Sequence, residues 1–403
     1  MVVYAKLGRT LNASPTAHLY ANYKQLPITF ERGVGARLFD TAGKSYLDFT
    51  AGIAVTALGH AHPAMIKALT EQASKLWHVS NYYFNAPNLA LADKLCAISG
   101  FNRALFCNSG AEANEAMFKL ARGHFYRAGQ PERTRIIAFD NAFHGRTMGA
   151  LSMTGTPKYR EGFGQLAGIT HVPFGDLDAV RREMGPDVAA VIVEPIQGEG
   201  GVLPAAPGFL QALRDLCTQG GALLLVDEVQ TGMGRTGAWF GYQNANIAPD
   251  AISLAKGLGG GFPIGAMLTR SAFAEALPPG THGTTFGGNA LACAVALAVV
   301  DTIAAEALAP HAFAMGTKLR WGLEMLCVDM PALCIKSRGI GLLQGLVLRK
   351  DVVPRELVVT LAEQGLLCTA SGADALRFTP PLNVTEQEVD EALTVLRTTL
   401  SRR

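Results

Sequence analysis

The sequence predicts an α/β fold: a mostly parallel, seven-stranded sheet with helices on both faces, followed by a smaller C-terminal α+β domain. Three observations predict it. Seven short apolar runs recur along the middle of the chain, nearly continuous in Val, Ile, Leu and Ala rather than alternating with polar residues, as in strands covered on both faces. Helical stretches lie between the runs, so successive strands are joined by crossovers and pair mostly in parallel. Hydrophobic residues make up 49% of 403, enough for a large buried core.

In chain order, residues 1–60 carry turn signals and a hairpin pattern over Arg37–Asp48, which defines an N-terminal segment. Residues 61–299 form the large domain, with strands at Ala104–Cys107, Arg135–Phe139, Ile169–Pro173, Ala189–Val193, Ala222–Val226, Ala251–Ala255 and Gly265–Leu268. Helices over Glu112–Arg127 and Gly208–Gln219 supply two of the crossovers. Residues 300–403 form the small domain: a helix over 300–328, then strands near Gly341–Leu348 and Ala375–Phe378.

Composition narrows the function. A net charge of +2 lacks the basic excess of a nucleic-acid binder and points to a small-molecule partner. Seven Cys without a C-x-x-C pair suit reduced packing residues in a cytoplasmic protein. The start, Met1-Val-Val-Tyr-Ala-Lys6, lacks a charged region followed by an apolar one, so no secretory signal is expected. Leu291–Ala305 is the richest apolar stretch, but it contains Asp301 and follows a glycine loop, which suits a buried helix better than a membrane span.

The chemistry belongs at the carboxyl ends of the strands. One apolar run ends in Asp227, and the run ending in Lys256 closes 29 positions later, followed by Gly257-Leu-Gly-Gly-Gly-Phe-Pro-Ile-Gly265. A lysine amine that condenses with an aldehyde, and a carboxylate that keeps a ring nitrogen protonated, are what pyridoxal phosphate (PLP) requires. The segment Cys107-Asn-Ser109-Gly110-Ala111-Glu112 has capping-box spacing, so a helix begins there and its free N–H groups suit a phosphate. Phe143 is either a core residue or a ring laid against the cofactor, and Arg146 either a surface ion pair or a fork for a carboxylate. Glu194 and Glu199 sit in a glycine-rich loop, where Glu199 is a solvated charge or a site acid. Val229 would pack under the ring, and Gln230 would hydrogen-bond its hydroxyl.

Two other patterns fail on context. Gly232-Met-Gly-Arg-Thr-Gly237 has dinucleotide-loop spacing but does not join a strand directly to a helix, and no acid lies about 20 residues on. His60-Ala-His62 has no Cys or acidic ligand nearby in sequence, so loop packing is expected there and no metal site.

Eight blocks now resemble one family nearly end to end, the class III (subgroup II) PLP-dependent aminotransferases of fold type I. They are Tyr46–Val55 with Leu58–Pro63, Ser80–Asn85, Phe106–Glu115, Phe143–Thr147, Val193–Gly201, Asp227–Gly232, Lys256–Gly265 and His282–Asn289. The Gly-Ile-Ala-Val, Ser-Asn-Tyr-Tyr and Phe-His-Gly-Arg-Thr blocks favour the acylornithine branch.

The resemblance implies a homodimer with shared active sites. It would move the distal amine of N2-acetylornithine to 2-oxoglutarate and release N-acetylglutamate 5-semialdehyde and glutamate. It implies Lys256 as cofactor lysine and proton shuttle, Asp227 at the ring nitrogen, Gln230 at the ring oxygen and Phe143 on the ring face. Ser109, Gly110 and Ala111 would sit at the phosphate, with Thr285 reaching the neighbouring subunit's cofactor. Arg146 would take a substrate carboxylate, Arg377 the α-carboxylate of 2-oxoglutarate, and Thr284 and Tyr23 (or Asn22) would lie near substrate. Glu199 would pair with Arg377 and swing away when 2-oxoglutarate enters. Ala290 departs from the family, where Pro commonly follows Gly-Gly-Asn, and a local effect at the helix start is expected. Succinylornithine, ornithine and 4-aminobutyrate are alternative donors. A nicotinamide-dependent oxidoreductase is the alternative from another reaction class.

Overall fold

The computed structural model describes residues 18–402. Met1–Lys6, where no secretory signal is expected, lie outside the described residues. The central sheet has seven strands: β1 Arg103–Cys107, β2 Arg135–Phe139, β3 Ile169–Val172, β4 Val188–Val193, β5 Leu223–Asp227, β6 Ala251–Leu254 and β7 Gly265–Thr269. Their spatial order is β1-β7-β6-β5-β4-β2-β3. Every pairing is parallel except those of β7, which runs antiparallel to both β1 and β6. Every residue of β4, β5, β6 and β7 is buried, which is why these segments read as unbroken apolar runs.

Helices cover the sheet. Helix α1 (Gly110–Arg127) leaves β1, and α2 (Phe209–Gly220) leads into β5. The single helix expected over 300–328 is two, α3 (Ala290–Ala305) and α4 (Leu308–Asp329), bent by 68°. Pro310 explains the break. It has no N–H to continue a helix from Glu306, but it is tolerated in the first turn of a new one, and Ala307 turns the chain with φ 50°. The α3 start is intact without a proline, because the Asn289 side chain accepts from the Ala292 N–H at 2.9 Å. Ten residues of α3 are buried, as expected for a core helix. No single helix among the described residues is long and apolar enough to cross a membrane.

The chain end adds an antiparallel sheet of β8 (Cys334–Ile340), β9 (Leu343–Leu348), β10 (Thr369–Ser371) and β11 (Ala375–Phe378), ordered β8-β9-β11-β10. Near the start, Arg37–Asp40 and Ser45–Asp48 form the expected hairpin, and Leu366–Leu367 pairs in parallel with its second strand. Beyond the hairpin, Ala51, Gly52, Ile53 and Ala54 all have positive φ (44°, 62°, 69° and 61°), a single turn of left-handed backbone. L-residues resist this conformation, at a cost of roughly 1–2 kcal/mol each. Asp48 clamps the turn: Oδ1 accepts from Thr50 N, Thr50 Oγ1 and Ala51 N at 2.8–3.0 Å, and Oδ2 lies 2.8 Å from His60 Nε2. His60 is thus engaged in loop packing.

Candidate active site

The carboxyl ends of β1, β2, β4, β5 and β6 face one cavity of about 430 Å³. It is lined by ten of the residues singled out from sequence: Ser109, Gly110, Ala111, Phe143, Arg146, Glu199, Asp227, Val229, Gln230 and Lys256.

Asp227 ends β5 and is 3% exposed. Oδ2 lies 2.8 Å from His144 Nδ1 and accepts from Asn114 Nδ2 at 2.7 Å. Oδ1 accepts from Val229 N at 2.9 Å and Ser253 Oγ at 3.3 Å. The carboxylate is fixed in place by four polar partners from four segments. Sequence reasoning assigned no role to His144 or Asn114, yet both had a signal: His144 follows Phe143, and Asn114 lies one helical turn after Gly110, on the same face.

Lys256 does not end its strand, as the sequence suggested. β6 stops at Leu254, and Lys256 opens a 3₁₀ turn with φ 43°, a left-handed conformation held in the cavity wall. Its amine makes no hydrogen bond or ion pair with the described residues. Burial pushes its pKa down, favouring the neutral amine, while Glu199 pulls the other way.

Ser109 caps α1, its Oγ accepting from Glu112 N at 3.2 Å. The reciprocal half of the expected capping box is displaced by one residue, because the Glu112 carboxylate accepts from Asn108 N at 2.6 Å. The N–H groups of Gly110 and Ala111 have no acceptor among the described residues. Gly110 has to be glycine because a Cβ would come within 2.8 Å of Val229.

Glu194 is buried and accepts from Phe143 N at 2.9 Å and Gly198 N at 3.2 Å, tying the two loops together. Burial raises its pKa to about 7. Glu199 is a site acid rather than a solvated one, with Oε1 2.5 Å from Arg377 Nη1. Burial works to raise its pKa, but Arg377 and Lys256 hold it below the usual carboxylate value. Arg377 lies behind Glu199 rather than on the cavity wall, and Nη1 also donates to Gly198 O at 3.0 Å and Gln230 Oε1 at 3.2 Å. Arg146 lies on the wall with its guanidinium 3.9 Å from the Tyr159 ring centroid and 5.4 Å from that of Phe143.

Besides Arg377, three expected residues are not brought to the cavity wall. Thr284 Oγ1 accepts from Asn108 Nδ2 at 3.1 Å, one residue removed from the lining. Thr285 is exposed on the surface. Tyr23 is 75% exposed, in a segment of turns and bends. The Gly232–Gly237 segment is a turn against Phe313, Leu382 and Ala309, and it opens no helix.

These residues fit a flat heteroaromatic phosphate ester. Two free helix-start N–H groups suit the phosphate, a fixed carboxylate suits a ring N–H, and Phe143 and Val229 suit the ring faces. A buried amine without a partner suits the aldehyde.

Comparison with known proteins agrees with that chemistry. A model of the class-III aminotransferases matches residues 19–400. The acetylornithine aminotransferase of Myxococcus xanthus is 50% identical over 375 residues, 93% of either chain. The N-acetylornithine aminotransferase structure from Stenotrophomonas maltophilia superposes with a TM-score of 0.83 at 41% identity, covering 94% of this chain and 97% of that one. An ornithine aminotransferase from Toxoplasma gondii, whose structure shows partial occupancy of PLP at its active site, gives 0.91 at 35% identity, covering 95% and 92%.

Proposed function

The chain belongs to the class-III aminotransferases, and on that premise we propose that it transfers the distal amine of N2-acetylornithine to 2-oxoglutarate, giving N-acetylglutamate 5-semialdehyde and glutamate. The observation that carries this reading is the placement of Lys256, Asp227 and the free Gly110 and Ala111 N–H groups around one cavity.

PLP is the cofactor, and when bound it supplies an aldehyde that carries the amino group and a ring that withdraws electrons from the reacting carbon. The Gly110 and Ala111 N–H groups would hold its phosphate, Asp227 its ring nitrogen, and Phe143 and Val229 its faces. Gln230, whose Oε1 is engaged by Arg377, would offer its amide to the ring hydroxyl. Lys256 Nζ would take a proton from the substrate carbon and give it up again within the same half-reaction, and it would work in reverse when 2-oxoglutarate is bound. Burial lowers the pKa of that nitrogen, which favours the neutral amine that can accept a proton. Arg146 takes the donor's α-carboxylate. Glu199 masks Arg377 while the donor is bound and uncovers it for the α-carboxylate of 2-oxoglutarate.

The acids decide between donors. Among the described residues, three carboxylates line the cavity, and each is committed: Glu194 to two backbone N–H groups, Glu199 to Arg377 and Asp227 to His144 and Asn114. None is free to receive the α-ammonium of ornithine. An unpaired buried ammonium costs several kcal/mol, whereas the acetylated nitrogen is neutral. Acetylornithine should therefore exceed ornithine in kcat/KM by at least roughly 10²-fold, which about 2.7 kcal/mol would give. Steady-state kinetics with acetylornithine, succinylornithine, ornithine and 4-aminobutyrate tests this, and equal performance by ornithine would overturn the donor assignment.

The active form is a homodimer. Thr285, if it holds a phosphate, has to hold a neighbour's, and it adjoins an exposed aromatic surface. Tyr82, Tyr83, Phe84 and Phe286 are 62–92% exposed there, and Asn81 ties the two segments together through Thr284 O and Gly287 O. Such a patch suits burial against a second copy.

A further inference from the structure

Arg377 and Arg146 are held in opposite ways. Arg377 is engaged by a carboxylate, two carbonyl oxygens and Thr369 Oγ1. Arg146 has no ion pair or hydrogen bond from its side chain to any described residue. It rests instead on rings. Its guanidinium carbon is 3.9 Å from the Tyr159 centroid and 5.4 Å from the Phe143 centroid. The two rings meet edge to face, 5.9 Å apart at 87°.

The difference matters for an anion anchor. A carboxylate partner would occupy the in-plane N–H groups of a guanidinium and cancel its charge. An aromatic face attracts the same cation through its plane and leaves the N–H fork free for bidentate capture.

The backbone holds Tyr159 where it can do this. Tyr159 lies in the short helix Pro157–Arg160 and is half-buried. Gly155 precedes that helix, and its N–H donates to Ala142 O at 2.8 Å. A Cβ on Gly155 would lie 2.0 Å from Phe139 O, so the segment is pressed onto the end of β2. The loop between is fixed by Glu115, whose Oε1 accepts from Thr147 Oγ1 at 2.6 Å, Gly149 N at 2.8 Å and Ala150 N at 3.1 Å. The chain thus leaves β2, presents Phe143 and Arg146, and returns to lay Tyr159 against the arginine.

We propose that Tyr159 is a positioning residue for substrate carboxylate recognition: its face receives the Arg146 guanidinium, its edge-to-face contact with Phe143 fixes the ring, and the N–H fork is left unspent. Tyr159 does not line the cavity and acts through Arg146. The proposal rests on the reading of Arg146 as the donor's carboxylate anchor.

The test compares two amino donors on the same holoenzyme preparations: N2-acetylornithine, and N-acetyl-1,4-diaminobutane, which is the same molecule without the α-carboxylate. Tyr159→Leu should raise KM for acetylornithine by roughly 5- to 30-fold, the range a stacked cation supports, and leave kcat within about twofold. Its kcat/KM for the carboxylate-free donor should be unchanged. Tyr159→Phe keeps the ring and should behave as the parent. A partly unfolded preparation lowers kcat for both donors and leaves their ratio intact, and Tyr159→Met provides a second ring-free variant of similar size. Arg146→Ala separates the two ideas. If it fails to discriminate between the donors, the anchor reading falls. If it discriminates and Tyr159→Leu does not, or if Tyr159→Phe is as impaired as Tyr159→Leu, the proposal for Tyr159 is overturned.

Discussion

Glu199 covers Arg377: its Oε1 lies 2.5 Å from Nη1, with the acid on the cavity wall and the arginine behind it. Among the described residues, the cavity therefore presents one available guanidinium, on Arg146, and one that is masked. An enzyme that alternates between a donor with one carboxylate and an acceptor with two needs both settings.

Glu199→Ala should impair the amino-donor half-reaction more than the 2-oxoglutarate half-reaction. Removing one member of a desolvated pair leaves the survivor exposed to a cost of roughly 3–5 kcal/mol, so Arg377 would seek another anion while the donor is bound. Single-turnover spectroscopy of each half-reaction reads the two rates separately, and equal losses would refute the masking role.

Lys256→Ala should cost at least roughly 10²–10⁴-fold in turnover, the ordinary worth of one placed proton-transfer group. PLP should still be retained through the Gly110–Ala111 N–H groups and Asp227, and its absorbance should follow the protein through desalting. Near-normal transamination by this variant would remove Lys256 from the chemistry.

Gly265→Ala should weaken PLP binding by about tenfold or more without unfolding the chain. A Cβ there would come within 2.3 Å of Ser109 O, at the turn that aims the free N–H groups. Overpacking of this kind costs roughly 1–3 kcal/mol and falls on the phosphate end of the site. Equilibrium titration of the apoenzyme with PLP reads the change, and unaltered affinity would contradict it.

The holoenzyme should sediment with no active monomer, and mixing Lys256→Ala chains with Thr285→Ala chains should restore activity above either parent. One mixed dimer carries one site with both residues intact. Absence of restoration, with mixed dimers shown to form, would place Thr285 outside the neighbour's site.

Asp48→Asn should lower the melting temperature at pH 7, and the deficit should shrink in acid. Burial acts to raise the Asp48 carboxyl, but its bonds to His60 and Thr50 hold it below its ordinary 3.8. A depressed folded-state pKa contributes stability above the unfolded value, which is lost as pH falls through the folded one. The parent and variant should therefore converge below about pH 4. A pH-independent difference would mean that the left-handed turn does not depend on the Asp48 charge.

Much of the site was legible because its residues sit at strand ends. Asp227 and Lys256 follow apolar runs too uniform to be anything but buried strands, and the Ser109–Glu112 spacing announces a helix start. What stayed hidden comes from contacts distant in sequence. Nothing near His144 or Asn114 says that both converge on Asp227, and nothing near Tyr159 says that it doubles back onto Arg146. β8 was missed because Cys334–Ile340 mixes buried and exposed positions without a period of two. The break between α3 and α4 is legible in Pro310, across which the expected single helix runs.

The antiparallel strand β7 also sets when the site comes into being. The turn that carries the free Gly110 and Ala111 N–H groups follows β1 and the lysine follows β6, and these two strands are not neighbours, since β7 lies between them. The wedge is made from residues 265–269, beyond Lys256 in the chain. A ribosome that has delivered every residue from Ser109 to Lys256 has thus not yet delivered the strand that holds the two ends in register. Closing β1 onto β7 joins segments some 160 residues apart, as in Cys107 opposite Gly265, and loops of that span close late and slowly. The cofactor accordingly has no assembled pocket to enter on the nascent chain before β7 emerges.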